Sequence, residues 1–208
     1  MNAYLLDYFN NLKSECLFMP TQMFPSENLN IIRSLYITKL LEAIARHPES
    51  YIEPALRSES GELAVDGALK LPCRVDLIPA EGTEAGQSIT VDSPGKANFP
   101  EIIFHLTDTI VVIDPFIWDY ASIFIEHSSN STIETPLQKW FMKWFDPDDL
   151  NPLNDESLYG VVHFMSDPEP VESGSKIIID FGSAPAEALC DLLRTLSEVK
   201  VARVQVSQ

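Results

Sequence analysis

Four histidines, three cysteines and a surplus of carboxylates are the side chains of this sequence best able to do chemistry. His47, His105, His127 and His163 are not paired with one another or with Cys16, Cys73 and Cys190 at zinc-ligand spacings, and no H-E-x-x-H occurs. His105 and His163 sit in β-like runs, where an imidazole held in or beside the core is the simple reading and a general base the sharper one. No serine lies in a G-x-S-x-G elbow, and Ser183 after Gly182 reads as a helix cap. Gly95-Lys96 lacks the upstream glycine of a phosphate loop, and the 8 glycines contain no G-x-G-x-x-G. Asp146, Asp148 and Asp149 open like a calcium loop. Leu150 then stands where an oxygen ligand is needed, Asn151 replaces the turn glycine and Ser157 the bidentate glutamate, so an EF-hand is excluded. The sequence predicts no metal, no cofactor and no enzyme.

The elements that position these residues follow from periodicity and punctuation. Tyr4, Leu5, Tyr8, Phe9 and Leu12 recur at helical spacing over Ala3 to Lys13, and Ser26 opens a longer helix that ends near His47 before Pro48. A short helical turn is expected over Tyr51 to Arg57. Strands are expected at 63–69, 74–78, 88–91, 102–106 and 109–113, with exposed loops at 81–87 and 93–98. Phe116 to Ile125 is a strand or a buried helix, with strand favoured at its end. Thr135, Pro136 and Gln138 form a capping-box start for a helix that Asp146-Pro147 ends, carrying Trp140, Phe141, Trp144 and Phe145. After it come a strand over 158–165, a long-loop hairpin to 176–181, a helix opened by Gly182-Ser183 and a last strand over 200–206. The fold class is therefore α+β. Residues 1–208 form one domain, with a helical part at 1–57 and, over 58–208, a mainly antiparallel sheet ending in a β-β-α-β unit.

Charge restricts function further. With 14 Lys and Arg against 31 Asp and Glu, the chain carries −17 at pH 7, which opposes contact with nucleic-acid phosphates or anionic lipid. No secretory leader and no membrane span are read in the sequence, and three dispersed cysteines fit reduced, buried thiols in the cytoplasm. The acid excess lies in the second half: residues 1–104 hold 8 basic and 14 acidic side chains, residues 105–208 hold 6 and 17. Between Trp144 and Glu172 eight carboxylates occur with no Lys or Arg. Aromatic anchors beside unneutralised carboxylates are what an interface for a basic partner uses. Asp146, Asp148, Asp149, Asp155 and Glu156 are thus the expected steering charges, and Trp140 and Trp144 the anchors if they are exposed. Rings in the core with a solvated acidic rim are the plainer alternative.

In size, acidity, lack of catalytic motifs and irregular α+β pattern, the chain resembles bacterial immunity proteins of type VI or contact-dependent secreted toxins. That resemblance is one of general character over the whole chain. It implies a non-enzymatic protein that covers a basic toxin, and transfers no residue. Two alternatives stand beside it: a secretion chaperone that dimerises around an effector, and an enzyme with a dispersed site built from His105, Asp114, His163 and Asp180. The oligomeric state is not legible in the sequence.

Overall fold

A computed structural model describes residues 26–127 and 132–208. The amphipathic run over 3–13 and Cys16 lie outside the described residues. Helix α1, Ser26–Arg46, forms where expected, because Leu29, Ile32, Tyr36, Leu40 and Ala43 repeat at three and four residues and all become buried. Pro48 prevents its extension. The segment that follows is not the expected helical turn. Ser50–Ile52 is strand β1, paired antiparallel with β4, Leu77–Pro79, and Ala55 bridges Arg74. Glu53, with φ at 49°, turns the chain between these pairings.

Two short strands, β2 (Val65–Asp66) and β3 (Leu71–Pro72), pair with each other. The expected strand over 88–91 is reduced to a single bridge from Ile89 to Leu77. The remaining strands build the main sheet: β5 (Ile102–Leu106), β6 (Thr109–Ile113), β7 (Ala121–Glu126), β8 (Phe164–Met165), β9 (Glu169–Val171), β10 (Gly174–Asp180) and β11 (Arg203–Ser207). Their spatial order is β5-β6-β11-β7-β10-β8, with β9 also on β10. Every pairing in it is antiparallel except β11 with β6.

Register places one apolar row on one face. Val111 and Ile113 lie beside Val204 and Val206, these beside Ile125 and Ile123, and Ile123 beside Ile177, all fully buried. Helices α2 (Glu134–Phe145) and α3 (Ala186–Glu198) deliver Leu137, Trp140, Phe141, Leu189, Leu192 and Leu196 to the same core. On the opposite face Ile103, Ile110, Arg203, Gln205, Phe124 and Lys176 are only partly covered or exposed. The sequence β9-β10-α3-β11 is the β-β-α-β ending, and the whole is α+β.

Both helix starts differ from the sequence reading. Helix α2 begins at Glu134 with Ile133 at the cap and no side-chain cap, so Thr135 lies inside it. Gln138 bonds outward to the Leu69 carbonyl instead, at 2.9 Å. Helix α3 begins at Ala186 after an extended Pro185. Ser183 does not cap it, because its hydroxyl accepts the amides of Gly160 and Val161 at 2.9 and 3.2 Å. Those bonds also explain why 160–163 is not a ladder strand: its amides go to Ser183, to Trp144 O and to Asp180 O.

Candidate functional site

The acidic stretch after α2 folds as one long loop, Asp146 to Tyr159, held at three places. Asp146 ends the helix in the left-handed region at φ 53°, which Asp tolerates, and its carboxylate accepts the Asn151 amide at 2.7 Å. At this end stands Arg74, whose side chain is 1% exposed. Its guanidinium donates to Phe145 O (3.0 Å), Asp146 O (2.7 Å), Glu53 O (2.7 Å) and Asp149 Oδ1 (2.6 Å), and lies 4.8 Å over the Phe145 ring. At the far end the Glu53 carboxylate accepts the Tyr159 amide at 3.2 Å. Between them, Arg33 of α1 forks onto Glu156 at 3.0 and 2.5 Å and also donates to Ser183 O and Ala184 O. Asn154 closes the turn by accepting the amides of Glu156 and Leu158.

This framework sorts the residues singled out in the sequence. Asp146 is buried and committed to the backbone, Asp149 is paired with Arg74, and Glu156 with Arg33. Asp148 and Asp155 are exposed. The structure gives Trp140 a different place from that of an anchor. It is 2% exposed, with its indole N–H on Ala188 O at 3.0 Å, because it lies on the inward stripe of α2. Trp144 is half-buried and donates to Asp191 at 2.9 Å. Within this loop the large apolar side chains that face outward are Leu150 and Leu153, 78% and 55% exposed. A signal for them was present: they stand between Pro147, Pro152 and polar neighbours, in no helical or alternating pattern that could bury them. A depression of about 240 Å³ opens at the Arg33–Glu156 pair, lined by Asn30, Arg33, Asn154, Asp155, Glu156, Pro185 and Ala186.

Behind the loop lies a buried charged centre on His163. Its Nε2 donates to Glu53 Oε1 at 2.8 Å, while Nδ1 faces Asp76 Oδ1 at 3.3 Å and Asp180 Oδ2 at 3.7 Å. Tyr36 donates to Asp76, whose second oxygen accepts the Val91 amide at 2.7 Å. Glu53 also accepts the Ser183 amide at 3.1 Å. Burial alone would lower the imidazole pKa, but the charge of Asp180, the nearby Asp76 carboxylate and the bond to Glu53 outweigh it and hold His163 well above its usual range. Burial alone would likewise raise Glu53 and Asp76; the His163 cation beside both, with its hydrogen bond to Glu53, prevails and keeps both carboxyls below their usual range. Burial first, then the neighbouring carboxylates, pushes the Tyr36 phenol well up.

Of these groups, Asp180 lines a cleft of about 270 Å³, together with Thr90, Val91, Asp92, Ser93, Ile117, Asp119 and Tyr120. Asp119 there accepts both the amide and the hydroxyl of Ser93, yet burial and then the charge of Asp180 leave its carboxyl raised. His105 is exposed on β5, and Asp114 accepts from Gln205 at 2.7 Å, so neither joins His163 and Asp180. Among the described residues no three His, Cys, Asp or Glu side chains converge as a metal site. Cys73 and Cys190 are half-buried thiols far apart in the chain. No helix among the described residues is long and apolar enough to cross a membrane. No protein family, curated protein or solved structure matches the chain.

Proposed function

We propose that this is a non-enzymatic, cytoplasmic binding protein that neutralises a basic protein partner, as an immunity protein or antitoxin covers its toxin, and that the Asp146–Tyr159 loop is the docking element. The observation that supports this reading is the exposure of Leu150 and Leu153 on a tethered loop, flanked by the unpaired carboxylates of Asp148 and Asp155. Apolar side chains of this size left in water have value where a partner covers them, and flanking charge steers a cationic surface toward them. The leucines take the anchoring role that sequence reading gave to the tryptophans.

The test is capture from an extract of the native cell with wild-type protein as bait. A Lys- and Arg-rich protein should be retained. Its retention should fall at least tenfold for Leu150→Asp/Leu153→Asp, and its association should slow about tenfold for Asp148→Lys/Asp155→Lys, the difference shrinking in salt. Retention of that protein unchanged by both double variants overturns the proposal. A dimeric bait holding its client unfolded would identify the chaperone form instead.

One observation favours a second reading, an enzyme with a dispersed site: Asp180, whose carboxylate faces the buried His163 at 3.7 Å, lines a cleft that also holds Asp119. His163 itself is 1% exposed and enclosed by Glu53 and Asp76, so only the two aspartates reach solvent. In that reading Asp119, whose carboxyl is raised, is the acid and Asp180 the base. Asp119→Asn would then abolish turnover of a substrate without weakening partner capture.

A further inference from the structure

We infer that Arg74 and Glu53 are positioning residues that hold the Asp146–Tyr159 loop in one docking-ready shape, an inference that rests on the docking role proposed for that loop. The two residues lie far from it in sequence and act on its opposite ends. Arg74 spends three of its four hydrogen bonds on Phe145 O, Asp146 O and Asp149 Oδ1, where the loop leaves α2. Glu53 takes the amide of Tyr159, where the loop rejoins the body. They are joined directly, since the fourth bond of Arg74 is to the Glu53 carbonyl. The clasp is thus a single unit with one hand on each end of the loop.

Its parts are anchored beneath the surface. Arg74 donates its own amide to His163 O at 2.9 Å, and Glu53 donates its amide to Asp76 O at 2.8 Å. The Glu53 side chain is fully buried against His163 and the Ser183 amide. A planar guanidinium fixes several acceptors in set directions, which a lysine of equal charge cannot do. A loop fixed before encounter loses little freedom on binding, so more of the contact energy appears as affinity. Neither residue has a hydrogen bond or ion pair to Asp148, Leu150, Leu153 or Asp155: Arg74 acts through two backbone carbonyls and the Asp149 carboxylate, Glu53 through the Tyr159 amide.

The experiment compares Arg74→Lys and Glu53→Gln with wild type by amide hydrogen exchange on the free protein. Binding of the protein captured by the wild-type bait is then measured for each. The Asn151 and Tyr159 amides should exchange at least tenfold faster in either variant, with Ile177 and Ile179 of β10 unchanged. The dissociation constant should rise at least tenfold while the salt dependence of association stays as in wild type, because the steering charges remain. Wild-type loop amides that exchange like unfolded chain overturn the inference. So do loop and strand amides that accelerate together in both variants, since that makes the pair general stabilisers. A loosened loop with affinity within twofold overturns it as well. Exchange needs no partner, so an empty capture defeats the docking reading alone.

Discussion

His163 shows how one side chain can organise distant segments. Its partner Glu53 lies 110 positions earlier, and the two touch inside the protein with Asp76 and Asp180. Removing the imidazole leaves buried carboxylates without their cation, a class of change that costs about 3–5 kcal/mol. His163→Ala should therefore lower the urea midpoint sharply; a loss under about 1 kcal/mol would mean that the backbone amides suffice for Glu53 and Asp76. The pH dependence has a definite sign. His163 is raised when folded, so its stabilisation is complete below pH 6.5 and declines as pH rises from there through its folded value. Glu53 and Asp76 are lowered, so theirs is present above 4.5 and 3.8 and is lost as pH falls through their folded values. Urea midpoints across pH should show both flanks in wild type and lose the alkaline decline near neutrality in His163→Ala. The neighbouring Gly182 is equally constrained. At φ 49° it lies in the left-handed region, and a Cβ there would overlap the His163 ring. Gly182→Ala should cost at least about 1 kcal/mol by thermal melt. At this scale the sequence marked His163 and Asp180 as an imidazole and a carboxylate near strand ends. It gave no sign of Glu53 or Arg74, because a clasp made of contacts between remote segments leaves no local spacing to read.

At the level of elements, periodicity was a sound guide and punctuation a weaker one. The limits of β5 and β6 agree with the expected 102–106 and 109–113, since alternation and β-branching there serve a sheet with one buried face. Helix α3 buries Leu189, Leu192, Leu193 and Leu196, which recur at helical spacing, and Leu192→Ala should cost about 2–5 kcal/mol in a denaturant titration. A cost under 1 kcal/mol would indicate that α3 packs loosely. Capping signals misled because the side chains found better partners elsewhere: Gln138 on Leu69, Ser183 on Gly160 and Val161. The expected strands over 63–69, 88–91 and 158–165 shrank to two-residue ladders or a bridge for a similar reason. Their amides are satisfied by loops and side chains rather than by long neighbouring strands. Within the Asp146–Tyr159 loop, the acids were legible as charge, but which of them stay unpaired depends on Arg33 and Arg74, brought in by tertiary structure. Leu150→Asp/Leu153→Asp should leave stability within about 0.5 kcal/mol of wild type, because both side chains are mostly exposed. A larger loss would place them in the core's service.

For the molecule as a whole, a charge of −17 on 208 residues means that carboxylates repel one another across much of the surface. Salt screens that repulsion within about 8–10 Å at physiological strength. The melting temperature should therefore rise between 10 mM and 150 mM sodium chloride; a fall would show that the ion pairs of Arg33 and Arg74 outweigh the general repulsion. The sheet order adds a constraint on assembly. Strand β11 sits between β6 and β7, yet is made after both, after β10 and after the whole of α3. Until those five residues emerge from the ribosome, β5-β6 and β7-β10-β8 are two half-sheets with raw edges facing each other across a missing slat. A nascent chain must carry these sticky borders for roughly ninety residues of synthesis after β6 is complete, at about 5–20 residues per second, and the exposed seam is where misassembly or capture by chaperones would begin.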